Sequence, residues 1–110
     1  MPSRTVYIDI DLTLVDLEGE LLPYAAQRIK EMHNTKGYKL IAWSAGGHEY
    51  ARRIITKHDL LSYFQYILDK PDWIIDDYPK GILEHAKVLT VHNKGFWEGF
   101  WGALFKKEVY

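Results

Sequence analysis

Short continuous apolar runs alternate along the chain with stretches of helical spacing, a pattern that predicts strands and helices in turn. The first run is Val6-Tyr7-Ile8-Asp9-Ile10-Asp11-Leu12-Thr13-Leu14, apolar at its start and closing on two carboxylates and a hydroxyl, each two residues from the last. It reads as a buried strand with an acidic tip. Residues two apart in a strand share a side, which would set Asp9 and Asp11 about 7 Å apart at Cα if the strand continued that far. Val15 to Leu22 surrounds Gly19 with acids and then apolar residues, the pattern of a small hairpin or flap. Pro23 suits the first turn of a helix, and Ala26, Ile29, Lys30 and His33 follow at helical spacing with Ala25 and Met32 supplying the apolar side. The spacing predicts a helix from Pro23 to about Thr35, closed by Gly37 as a C-cap. Tyr38 to Trp43 is a second buried strand, and strand, helix, strand implies a parallel right-handed crossover.

Ser44-Ala45-Gly46-Gly47 leads into a second amphipathic helix, running to about His58, with Tyr50, Ala51, Ile54 and Ile55 as its apolar stripe. Leu60, Leu61 and Phe64 precede Gln65-Tyr66-Ile67-Leu68, which reads as a short strand, and Asp69 to Asp72 as a loop. Trp73-Ile74-Ile75 is another apolar run, and it too ends in a pair of acids, Asp76-Asp77. A short helix over Gly81 to Ala86 and a last strand over Lys87 to Val91 follow, then a turn at His92 to Gly95. Phe96, Trp97, Phe100, Trp101, Leu104 and Phe105 recur at helical spacing as a wide aromatic face, expected as core or as a subunit interface. The alternation predicts a three-layer α/β/α sandwich with a Rossmann-like, mainly parallel sheet. Acids, hydroxyl and lysine all fall just after strands and should converge on the sheet edge where open α/β sheets place ligands.

Composition narrows the picture. The 110 residues suit one domain spanning 1–110, with 47% hydrophobic and 26% charged residues and no disorder signature. A net charge of −1 gives no broad electrostatic footprint for nucleic acid or anionic membrane. Cysteine is missing, which excludes disulfides, thiolate zinc sites and cysteine nucleophiles. Met1-Pro2-Ser3-Arg4 leads straight into a core strand, and no apolar stretch approaches membrane-spanning length, so a cytoplasmic protein is expected.

Asp9-Ile10-Asp11-Leu12-Thr13 matches DxDx[TV], the signature of the haloacid dehalogenase superfamily of phosphotransferases, and the chain resembles that family from Thr5 to about Pro79. Ser44 looks like the family's second motif, Lys70 like its third and Asp76-Asp77 like its fourth, all in order. The match is to small members without a cap domain. Leu12 stands where glycine is common. The residue chemistry agrees: an Asp carboxylate can attack phosphorus and form an aspartyl-phosphate, with Asp9 the candidate nucleophile. Asp11 would protonate the leaving oxygen and then deprotonate the attacking water. Two acids beside a dianionic phosphate repel, and a divalent ion offsets this, magnesium fitting best. Asp9 and Asp77 are the expected side-chain ligands with Asp76 supporting, although which acid of the pair touches metal stays open. The resemblance implies that Asp11 adds its backbone carbonyl.

Ser44 can donate to a phosphoryl oxygen, with Gly46-Gly47 letting backbone N–H groups approach at a helix N-terminus, although taken alone it reads as an N-cap. Lys70 can neutralise developing charge or hold Asp9, and taken alone it is a solvated loop lysine. Thr13 should order the acidic loop by hydrogen bonding. The five histidines show no metal-ligand spacing, His48 being the one near the site, and Arg52-Arg53 reads as a solvated helix face. A response-regulator receiver domain is the rival reading, but there the acidic pair, the acceptor Asp, the hydroxyl and the lysine follow in a different order. A catalytically silent binding module is the third, and the intact Asp9, Asp11 and Asp77 weigh against it. With only Leu14 to Leu22 before the first helix, and no room for a cap between Ser62 and Pro71, the site should be open. Its substrate would then be a phosphorylated macromolecule or nucleotide end, with self-association through the aromatic tail suggested by the size of that face.

Overall fold

The computed structural model describes residues 4–78 and 85–109. Three strands, β1 (Thr5–Asp9), β2 (Lys39–Ser44) and β3 (Tyr66–Asp69), form a parallel sheet in the order β1-β2-β3. α1 (Ala25–Asn34) joins β1 to β2 and α2 (His48–Lys57) joins β2 to β3, with a 3₁₀ turn at Leu61–Tyr63 before β3. The strand read at Gln65 to Leu68 is present one residue later. α1 begins two residues after Pro23 because Tyr24 takes a left-handed conformation, φ 66°, that no helix continues through.

Register decides which residues share a face. Tyr7, Ile41 and Tyr66 lie side by side, as do Asp9, Trp43 and Leu68. On the alternate positions Ile8, Leu40 and Ala42 are buried, in one core with Ala25, Ile29 and Met32 of α1 and Ala51 and Ile55 of α2. Both helices therefore cover the same face. Strands that step in one direction through right-handed crossovers place every connecting helix on one side. Across the sheet Tyr7, Tyr66 and Leu68 are exposed, while Ile41 between the two tyrosines is buried. The other layer of the expected sandwich involves the helix read over Gly81 to Ala86, most of which lies outside the described residues.

Neither Trp73 to Ile75 nor Lys87 to Val91 forms a strand. Trp73 is 89% and Ile75 99% exposed, and among the described residues β1 stands at the edge of the sheet. An apolar run becomes a strand only where a ladder partner takes its backbone groups, which the run itself does not supply.

The hairpin read at Val15 to Leu22 is present: Val15 and Leu21 bridge, the Asp16 N–H donates to the Glu20 carbonyl at 2.8 Å, and Asp16 Oδ1 accepts the N–H groups of Glu18 and Glu20. Its tip is pinned to the C-terminal end of α2, where His58 Nε2 donates to the Gly19 carbonyl at 2.7 Å and Lys57 pairs with Glu20 at 3.2 Å. The aromatic tail, whose last part is α3 (Phe100–Val109), is core along most of its face. Trp97 and Phe100 are buried, and the Trp97 indole donates to the Thr13 carbonyl at 2.8 Å. Arg28 Nε donates to the Trp97 carbonyl at 2.8 Å, and the Trp101 indole to Glu31 at 2.9 Å. That indole first, and the Arg28 guanidinium after it, hold the Glu31 carboxyl below its ordinary range. Phe105 remains 70% exposed.

Candidate active site

The chain leaves β1 at Asp9 and wraps at once. The N–H groups of Thr13, Leu14 and Val15 all turn back to the Ile10 carbonyl, at 3.3, 2.9 and 3.2 Å. Ile10, Leu14 and Val15 are fully buried, so the loop hangs its polar residues outward from an apolar anchor. Leu12 has φ 59° there, a left-handed conformation that disfavours side chains with a Cβ by about 1–2 kcal/mol and accounts for glycine suiting the position.

Asp9 is held at both oxygens. Thr13 Oγ1 donates to Oδ2 at 3.3 Å, and Lys70 Nζ lies 3.6 Å from Oδ1. Lys70 follows β3 and reaches Asp9 across β2, passing over the Trp43 ring with its Nζ 5.8 Å from the centroid. Trp43 is the register partner of Asp9, so the lysine crosses the sheet on the face the helices leave bare. Its backbone is fixed by the Lys70 N–H bond to the Ser44 carbonyl, 2.9 Å. The lysine and acid picked from separate parts of the sequence thus meet, as the edge rule for parallel sheets anticipates.

Ser44 closes β2, and the turn into α2 folds back onto it. It is 2% exposed, and its Oγ accepts the Gly46 N–H at 3.0 Å while its carbonyl takes the Gly47 N–H at 3.1 Å. The hydroxyl organises the turn into α2. Gly47 has φ 101°, a conformation a Cβ resists. Gly47→Ala should lower stability by about 1–2 kcal/mol, read as a lower urea midpoint; an unchanged midpoint would contradict the strain argument.

Three contacts were not read from the sequence. Asp69, at the end of β3, accepts the His48 backbone N–H at 2.7 Å and pairs with His48 Nδ1 at 2.9 Å, both through Oδ1. These bonds, the side-chain one foremost, hold the Asp69 carboxyl below its ordinary range. The contact therefore stabilises the fold above the unfolded carboxylate pKa and is lost as pH falls through the folded value. The third is the Tyr50 hydroxyl, which donates to Asp11 Oδ1. That bond, with burial and the adjacent negative charge, raises the Tyr50 hydroxyl above the ordinary phenol range. The available signals were the position of Asp69 at a strand end, matching Asp9, and of Tyr50 three residues after a Gly-Gly turn.

Compared with known proteins, the chain matches no family model and no curated protein. Asp9, Asp11, Thr13, Lys70 and Tyr50 are linked by direct contacts or by the same loop, while Asp76 and Asp77 lie in the exposed segment after Asp72. The Tyr78 N–H donates to Asp76 Oδ1 at 2.9 Å, and chiefly through this bond the Asp76 carboxyl is held below its ordinary range. Among the described residues no three acids or histidines gather as a metal-holding group. What the arrangement offers is an oriented carboxylate with a cation beside it and a second carboxylate two residues on, at the C-terminal edge of a parallel sheet.

Proposed function

We propose that the chain is a magnesium-dependent phosphomonoester hydrolase that works through an aspartyl-phosphate on Asp9, in the manner of the haloacid dehalogenase superfamily. The observation that carries the reading is the Asp9 carboxylate, half-buried at a strand end, with Thr13 on one oxygen and Lys70 on the other. A nucleophile needs orientation and a nearby positive charge to meet a phosphoryl group, and these two contacts provide both. An Asp9 oxygen attacks phosphorus, the bond to the leaving oxygen breaks with its electron pair, and Asp11 delivers a proton to that oxygen. In the second displacement Asp11 takes a proton from water, the hydroxyl attacks phosphorus, and Asp9 is released. Lys70 offsets the charge that gathers on the phosphoryl oxygens.

The donor chemistry suits magnesium, which takes hard oxygens and commonly binds one or two carboxylates plus substrate phosphate. Asp9, the Asp11 carbonyl and an acid of the Asp76-Asp77 pair would hold it. When bound it would neutralise negative charge shared by carboxylate and phosphate. Such a set requires the Trp73 to Asp77 segment to come alongside β1, whose outer edge has no strand partner among the described residues. That step would also begin the other side of a three-layer sandwich. Asp77→Ala is expected to weaken magnesium binding more than Ser44→Ala, because Asp77 would supply a carboxylate to the metal whereas Ser44 would donate to a phosphoryl oxygen. A calorimetric titration giving equal affinities would contradict this.

Strand order speaks against the receiver reading. Receivers carry the flavodoxin-like order 2-1-3, whereas β2 lies between β1 and β3 here, as in the 3-2-1 half of the Rossmann arrangement. An open site without a cap is supported by the hairpin, whose tip is tied to the far end of α2, about 15 Å of helix from His48 at the site. A phosphorylated macromolecule or nucleotide end is the substrate class such a site would admit. Assaying purified protein on a panel of phosphomonoesters, with magnesium and with excess chelator, tests the proposal. Magnesium-dependent phosphate release supports it, and no release from any member overturns it.

A further inference from the structure

We propose that Tyr50 is the positioning residue for Asp11, holding one carboxylate oxygen so that the other is presented to the leaving oxygen; this rests on the phosphatase reading above. Asp11 is exposed and lies beyond the end of β1. Its backbone is set by the bridge to Val15, but that bridge leaves the carboxylate free to rotate. The Tyr50 hydroxyl, reaching from α2 across 39 residues of sequence, donates to Oδ1 and removes that freedom.

The arm that does this is itself stiff. Tyr50 packs against the core, and a Cβ on Gly46 would sit 3.2 Å from its ring carbon Cδ2, so the ring lies flush on the turn after Ser44. The Arg53 guanidinium lies over the ring, 6.0 Å from the centroid. With only two side-chain torsions, a tyrosine held in this way carries little motion to its hydroxyl. Oδ1 being engaged, Oδ2 is the oxygen left to carry a proton to the substrate. As the phosphorus–oxygen bond breaks, its electron pair goes to the leaving oxygen, which takes the proton from Oδ2. The second step reverses the transfer, from water to the same oxygen.

Leaving groups separate this role from a structural one. An aryl oxygen with a stabilised anion departs without a proton, whereas an alkyl oxygen needs one. Tyr50→Phe should lower kcat on an alkyl phosphate by about 10- to 100-fold, leave KM within about two-fold, and cost only a few-fold on p-nitrophenyl phosphate. In an Asp11→Asn background the same substitution should cost nothing further, because there is no proton carrier left to position. Gly46→Ala, which keeps the hydroxyl but pushes on the ring, should reproduce the alkyl-selective loss and stands in if Tyr50→Phe does not fold. Equal losses on both substrates, or losses that add to those of Asp11→Asn, would overturn the role of Tyr50 while leaving the phosphatase reading intact. Wild-type protein inert on every alkyl and aryl member of the phosphomonoester panel would overturn that reading, and this inference with it.

Discussion

Asp9→Asn is expected to abolish phosphomonoester hydrolysis, lowering kcat by about 10,000-fold or more while the protein stays folded. The amide has nearly the shape of the carboxylate and can still accept from Thr13, so the fold loses little. It lacks the charge that Lys70 faces at 3.6 Å and cannot attack phosphorus effectively. Losses of this order accompany removal of a covalent nucleophile, because the remaining groups act only through it. Steady-state assays on p-nitrophenyl phosphate, with circular dichroism to check folding, read the effect. Activity within ten-fold of wild type would reject Asp9 as the nucleophile.

Trp97→Ala should be the most damaging change to stability, about 3–5 kcal/mol out of the roughly 5–15 kcal/mol typical of a domain. The side chain is 3% exposed, its ring packs on Phe96 and Phe100, and its indole N–H closes the Thr13 carbonyl. Trp97→Phe keeps most of the packing but deletes that donor, and about 1–2 kcal/mol should be lost. The same variant should slow turnover, because Thr13 both receives the indole and orients Asp9. Urea titrations of the three proteins provide the measurement. A Trp97→Ala midpoint close to wild type would mean that the tail is not part of the core.

The sheet and its two crossover helices were legible because each is announced by its own period. β1 and β2 are uninterrupted apolar runs, and α1 and α2 carry apolar positions three and four apart. Asp9 and Lys70 were legible as a pair because parallel strands all end on one edge, so residues just past different strands must approach. Trp73 to Ile75 was not, because its pattern matches that of β1 and whether it pairs is decided by what lies across from it. Tyr50 was hidden in plain pattern: at helical spacing with Ala51, Ile54 and Ile55 it counts as a core residue, and its ring does pack there. Only the fold brings its hydroxyl to Asp11. The tail presented an aromatic face with no address. Its destination is set by acceptors and donors far away in sequence, the Thr13 carbonyl and the Arg28 guanidinium.

The central claim is a covalent phosphoryl-enzyme, and trapping it is the most direct measurement. Protein quenched in acid during turnover of a good phosphomonoester, reduced with borohydride and digested, can be read residue by residue by mass spectrometry. The mechanism predicts a reduced acyl group at Asp9 that depends on substrate and disappears in Asp9→Asn. Modification at any other residue, or undiminished turnover by Asp9→Asn, would contradict it.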